Sequence, residues 1–90
     1  MMYERDLAII NVKGLHARAS AKFVETVEAF DAQAYVTRDG MTVSGDSIMG
    51  LLMLAASMGT SIHVKTEGAE AEALAEALEA LVMNRFGEAA

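Results

Sequence analysis

The segment from Gln33 to Val43, QAYVTRDGMTV, places Asp39-Gly40 between two short runs rich in aromatic and β-branched residues. Asp-Gly readily adopts the pair of positive φ angles that a two-residue hairpin turn requires, so this segment predicts two antiparallel strands in tight sequence. The remaining elements have to build a layer around that hairpin and cover its apolar side.

Before the hairpin, Leu7–Val12 (LAIINV) is a β-rich run with apolar residues at positions of both parity, the pattern of a central strand, and Lys13-Gly14 ends it in a loop. From Ala17 to Phe30 the period changes. Phe23, Val27 and Phe30 recur at i, i+4 and i+7 with Val24 beside them, while Glu25 and Glu28 lie toward the other side, as on a helix. After the hairpin, SGDSIMGLLMLAASMG predicts a short helix, with Asp46 and Ser47 as candidate N-caps and Gly59 placed to terminate it. TSIHVKT alternates, with Ile62 and Val64 on one face and Ser61, His63 and Lys65 on the other, which is a half-buried strand. Glu70–Phe86 carries Leu74, Leu78, Leu81 and Val82 at helical spacing, opposite Glu72, Glu76 and Glu79. The resulting order is β-α-β-β-α-β-α. It implies an α+β fold in two layers, a sheet covered on one face by helices, and a single domain over residues 1–90.

Composition narrows the chemistry. A net charge of -6 repels phosphate backbones and anionic lipid, which argues against nucleic-acid and membrane-surface partners. With no cysteine there is no disulfide, thiolate nucleophile or Cys-based metal site, and the two histidines stand far apart. No metal site is therefore expected. The N-terminal residues lack the basic and long apolar regions of a signal peptide, and no run approaches ~18 apolar residues, so a cytoplasmic location is the expectation.

What remains is KGLHARAS, Lys13–Ser20, where His16 sits at a helix entrance with Arg18 two residues on. A helix start offers unpaired N–H groups to an anion. An imidazole is an accepted covalent carrier of a transferred group, and a guanidinium clasps phosphate oxygens in a fixed fork. Small neighbours at Ala17, Ala19 and Ala21 leave room for a partner to reach the ring. Spacing alone favours the simpler reading, in which His16 is a cap or a solvated loop residue. His63, on the outward face of its strand, carries no functional expectation.

The short helix is apolar around most of its surface. Leu51 and Leu54 are the expected inward residues, which leaves Ile48, Met49, Leu52 and Met53 partly outward. Such a patch is either a docking surface, for which methionine suits adaptable contacts, or one more buried side of a helix.

GLHARAS (Gly14–Ser20) followed by SIMGLLML (Ser47–Leu54), a strand and a long closing helix, resembles the HPr family of histidine-containing phosphocarriers of the bacterial phosphotransferase system. The resemblance runs over essentially the whole chain. It implies an open-faced β-sandwich, a four-stranded antiparallel sheet with three helices on one face. It also implies that His16 takes a phosphoryl group on Nδ1 from phosphorylated enzyme I and passes it to an enzyme IIA-type protein. Arg18 would neutralise the phosphate, helped by the backbone amides of Ala17 and Arg18. Ala17, Ala21, Val24, Ile48, Met49, Leu52 and Met53 match the family's docking positions, and Ser47 its regulatory serine, the target of HPr kinase/phosphorylase. Ser47 has a second reading, as a simple N-cap.

The sequence departs from sugar-transport members at two places. Ala19 stands where they usually have proline, and Glu25 and Glu28 where they carry basic residues on the docking face. Charge complementarity selects partners, so the two glutamates should weaken docking to an acidic surface, and together with Ala19 they make the chain look more like the nitrogen-type (NPr) branch. The resemblance thus implies a monomeric carrier with no cofactor of its own, incomplete as an enzyme because each partner completes the transfer step. The alternative is an HPr-like regulatory binding module without obligatory phosphotransfer, controlled through Ser47; a further rival is a small α+β ligand-binding domain.

Overall fold

The computed structural model describes all residues from Met1 to Ala90. The elements are β1 (Met2–Ala8), α1 (Ala17–Glu28), β2 (Gln33–Arg38), β3 (Met41–Ser44), α2 (Ile48–Met53), β4 (Ser61–Glu67) and α3 (Ala71–Met83), with one closing 3₁₀ turn at Arg85–Gly87. The strands form one antiparallel sheet in the order β1-β4-β2-β3. The helices pack on one face of it, leaving an open-faced α+β sandwich.

The hairpin forms as its turn chemistry demands. Arg38 pairs with Met41 across Asp39 (φ 50°) and Gly40 (φ 79°), the double positive-φ turn that matches strand twist. β4 then inserts between β1 and β2, with Leu7 opposite Ile62 and Val36 opposite Val64 on the helix side. These residues join Phe23 and Val27 of α1, Leu51 of α2, and Leu74, Leu78 and Val82 of α3 in one buried cluster. The opposite face carries Glu4, Tyr35, Thr37, Thr42, His63, Lys65 and Glu67 around a shallow polar cleft.

Three expectations need correction. The first strand is an edge strand, Met2–Ala8, not a central one at Leu7–Val12. Its outward residues Glu4 and Asp6 alternate with Tyr3, Arg5 and Leu7, and Arg5 reaches Glu79 of α3 at 3.4 Å. Ile9 lies beyond the strand yet is buried, because its backbone bonds to Thr60 and Gly59 hold it against the start of β4. α2 stops at Met53, well short of Gly59; Ala55 itself turns left-handed at φ 51°. Arg38 ties the end of α2 down by donating to the Leu54 carbonyl at 2.9 Å. Finally, α3 ends at Met83 and does not continue to Phe86. Arg85 and Phe86 both turn left-handed (φ 54° and 55°), which drives the Phe86 ring into the core and reverses the chain.

Candidate functional site

The loop between β1 and α1 is built to hold its last residue still. Gly14 has φ +65° and approaches so closely that a Cβ there would lie 2.6 Å from the Ala56 carbonyl oxygen, a position only glycine fills without displacement. Leu15 donates its N–H to that same carbonyl at 2.9 Å, and the buried Ser20 hydroxyl donates back to the Leu15 carbonyl at 3.2 Å. Between these anchors His16 takes extended geometry and serves as the N-cap of α1. It makes no side-chain capping bond, and only its carbonyl is used, by the Ser20 N–H. The ring is free for other work.

That ring meets a residue with no sequence signal. His16 Nε2 hydrogen-bonds to Glu88 Oε2, while the other carboxylate oxygen accepts from Asn11 Nδ2 at 3.0 Å. Asn11 is fully buried, and its amide donates a second bond to the Gly14 carbonyl at 2.8 Å. Both donors meeting acceptors fix the amide's orientation; its Oδ1 has no partner. The His16 bond, with Asn11 second, holds the Glu88 carboxyl below the usual carboxylate range. It is an anion at neutral pH, facing Nε2. Nδ1 has no hydrogen-bond partner in the chain.

Arg18 is exposed and lines a cleft of about 410 Å³ with Val12, Lys13, Glu88, Ala89 and Ala90. It makes no ion pair, so its guanidinium faces this cleft uncommitted. Ala17, whose amide belongs to the first turn of α1, is exposed, and Ala21 is half-buried. No group of three or more His, Cys, Asp or Glu side chains is placed to hold a metal ion.

α1 packs against α2, which brings the second motif alongside. Leu51 and Leu54 turn inward, while Ile48, Met49 and Met53 are 40%, 69% and 64% exposed and Leu52 is half-buried. Val24 differs from the other residues expected to dock: at 8% exposure it belongs to the core, on the side of α1 that carries the buried Phe23 and Val27. Ser47 is the N-cap of α2, its hydroxyl accepting from the Gly50 N–H at 3.0 Å. Asp46 accepts instead from the Ser44 hydroxyl, which removes it as a cap. Glu25 and Glu28 are both exposed on α1.

A histidine at a helix mouth beside an exposed apolar helix, on an open-faced α+β sandwich, defines a class of small single-sheet proteins. The family model described as the PTS HPr component phosphorylation site matches residues 3–84, and the chain belongs to that family, HPr. It is 46% identical over 87 residues to the phosphocarrier protein HPr of Cupriavidus necator, covering 97% of this chain and 98% of that protein. To the HPr of Neisseria meningitidis it is 50% identical over 88 residues, with the same coverage. A phosphocarrier protein NPr from Shewanella violacea is 40% identical over 86 residues, covering 96% of this chain and 94% of that one. Among solved structures, HPr-C-His from Thermoanaerobacter tengcongensis superposes with a TM-score of 0.93 at 38% identity, covering 98% of this chain and 99% of that one. The HPr of Bacillus anthracis gives 0.85 at 40%, covering 90% and 96%.

Proposed function

We propose that this chain is a phosphocarrier of a phosphoenolpyruvate-dependent phosphotransferase relay. In this reading His16 accepts a phosphoryl group on Nδ1 from phosphorylated enzyme I and hands it to an enzyme IIA-type protein. The observation that carries it is the arrangement at the start of α1: one ring nitrogen is engaged by Glu88, the other is unengaged, and Arg18 is uncommitted in the adjoining cleft. Nδ1 attacks phosphorus as its lone pair becomes the new N–P bond, and the donor's bond to phosphorus breaks. The Arg18 guanidinium and the Ala17 and Arg18 amides balance the oxygens' charge.

Ala17, Ala21, Ile48, Met49, Leu52 and Met53 would form the surface on which both partners dock in turn. Such a relay needs release as much as capture, so docking through a small patch suits it. The carrier is a single cytoplasmic domain, acts as a monomer and needs no cofactor of its own. Ser47 lies beside this surface, which supports regulation by a kinase as well as capping.

Incubation with enzyme I, Mg²⁺ and phosphoenolpyruvate tests the reading. Wild type should take up acid-labile, base-stable phosphate and His16→Ala should not. Uptake by His16→Ala would move the site elsewhere. No uptake by wild type from either a sugar-type or a nitrogen-type enzyme I would leave the regulatory-module alternative.

A further inference from the structure

We infer that Glu88 is the positioning residue of the His16 ring, fixing its tautomer and orientation so that Nδ1 is the reacting nitrogen; the inference rests on the phosphocarrier reading for its kinetic consequence only. The geometry is specific. Glu88 divides its two oxygens between two donors, Asn11 Nδ2 at 3.0 Å and His16 Nε2, so the carboxylate cannot rotate without losing one of them. Asn11 is itself locked, fully buried and bonded to the Gly14 carbonyl at 2.8 Å. An ionised carboxylate only accepts, so the proton resides on Nε2 and the lone pair on Nδ1. The nitrogen that attacks is thus chosen by the chain's own tail.

The segment that delivers Glu88 is constrained from both sides. Phe86 is buried, Lys22 Nζ donates to its carbonyl at 2.6 Å, and the left-handed Arg85 and Phe86 turn the chain back toward α1. Lys13 and Arg18 line the same cleft as Glu88 and supply the positive groups facing it.

The consequence for transfer follows from charge balance. As the Nδ1 lone pair forms a bond to phosphorus, the donor phosphohistidine's N–P bond breaks and its electron pair returns to the donor ring. No proton has to leave Nε2, and the His16 ring acquires positive charge. Glu88 faces that charge in the transition state and in the phosphorylated product, more than in the neutral starting ring. Its contribution is moderated by solvent, since the His16 and Glu88 side chains are 27% and 16% exposed.

The test compares wild type with Glu88→Gln and Glu88→Ala, each checked for an unchanged fold by its backbone amide spectrum. The first measurement, ¹⁵N chemical shifts of the neutral His16 ring in unphosphorylated protein, requires no partner. Wild type should be held in the Nε2–H form, and Glu88→Ala should relax to a mixture of tautomers. The second is the rate of phosphate uptake from enzyme I. Glu88→Ala should be slower by about 3- to 10-fold, the size of one charge-assisted bond discounted for exposure, in kcat more than in KM. Glu88→Gln loses the charge and one of the two acceptors, so its single amide oxygen has to be shared between Asn11 and His16; it should bias the tautomer less than wild type and recover only part of the rate. A wild-type tautomer ratio that survives Glu88→Ala would overturn the inference. If wild type takes no phosphate yet loses its single tautomer in Glu88→Ala, the phosphocarrier reading fails and the positioning role stands.

Discussion

Lys22 on α1 donates a 2.6 Å hydrogen bond to the carbonyl of Phe86, a residue 64 positions later whose ring lies in the core. This bond and that ring together close the last turn over the first helix, and Glu88 follows two residues on. Phe86→Ala should cost about 3–5 kcal/mol, the usual range for emptying a buried aromatic site, and should release the tail as well. Lys22→Met keeps the apolar stem and loses only the donor, so about 1 kcal/mol is expected. Urea unfolding measures both. Increased amide exchange at Gly87 and Glu88 in Lys22→Met, without global loosening, identifies the local effect.

Asn11 offers a sharper probe of the same network. In Asn11→Asp a second carboxylate would stand against Glu88 where a donor stood, and the Gly14 carbonyl would lose its partner. Losing a buried donor costs about 1–3 kcal/mol, and like charges add to it. The variant should therefore be destabilised most at neutral pH and recover part of the loss near pH 4, where one carboxyl takes up a proton. Asn11→Ala should show the loss without that recovery. Thermal unfolding at the two pH values separates them.

How much of this was readable beforehand depends on the range of the interactions. The hairpin, α1 and β4 follow from turn chemistry and periodicity, which act within a few residues, and the structure keeps them with ends shifted by one or two positions. Leu7–Val12 reads as evenly apolar because Ile9 is buried outside the strand; the alternation of Tyr3, Glu4, Arg5, Asp6 and Leu7 is the true strand signal. His16, Arg18 and the α2 surface were legible as motifs. Glu88 was not, because its place depends on two non-glycine residues adopting positive φ and on a core contact far away in sequence. Asn11 left one trace, an amide in the middle of an apolar run.

On the open face of the sheet, His63 lies between two carboxylates, with Nδ1 to Asp6 and Nε2 to Glu4 both at 2.8 Å. Asp6 first and Glu4 second raise the imidazole above its ordinary value. The folded state thus binds the proton more tightly than the unfolded chain. The stabilisation is complete below the unfolded value of about 6.5 and fades as pH rises through the higher folded value. With the His63 side chain 38% exposed, solvent screening limits the effect to a few tenths of a kcal/mol, up to ~1. Denaturation at pH 5.5 and pH 8.5 should find wild type losing stability over this interval relative to His63→Gln. High salt should shrink the difference. Parallel curves for the two proteins would remove the proposed proton coupling.

Ser47 separates capping from regulation because the two demand different things of the side chain. Its hydroxyl oxygen accepts from Gly50 N–H at 3.0 Å, so Ser47→Ala should cost about 1 kcal/mol through the lost cap of α2. Ser47→Asp supplies another good capping oxygen and should stay within about 0.5 kcal/mol of wild type. It also places a permanent charge next to Ile48 and Met49, which are 40% and 69% exposed. If that surface is where partners dock, the charge must be desolvated on binding, and phosphate uptake from enzyme I should slow through a raised KM with kcat nearly unchanged. Ser47→Ala should show the reverse, a lower melting temperature and ordinary KM. Ser47→Asp with unaltered KM would mean that the partner surface lies away from the α2 start, leaving Ser47 as a cap alone.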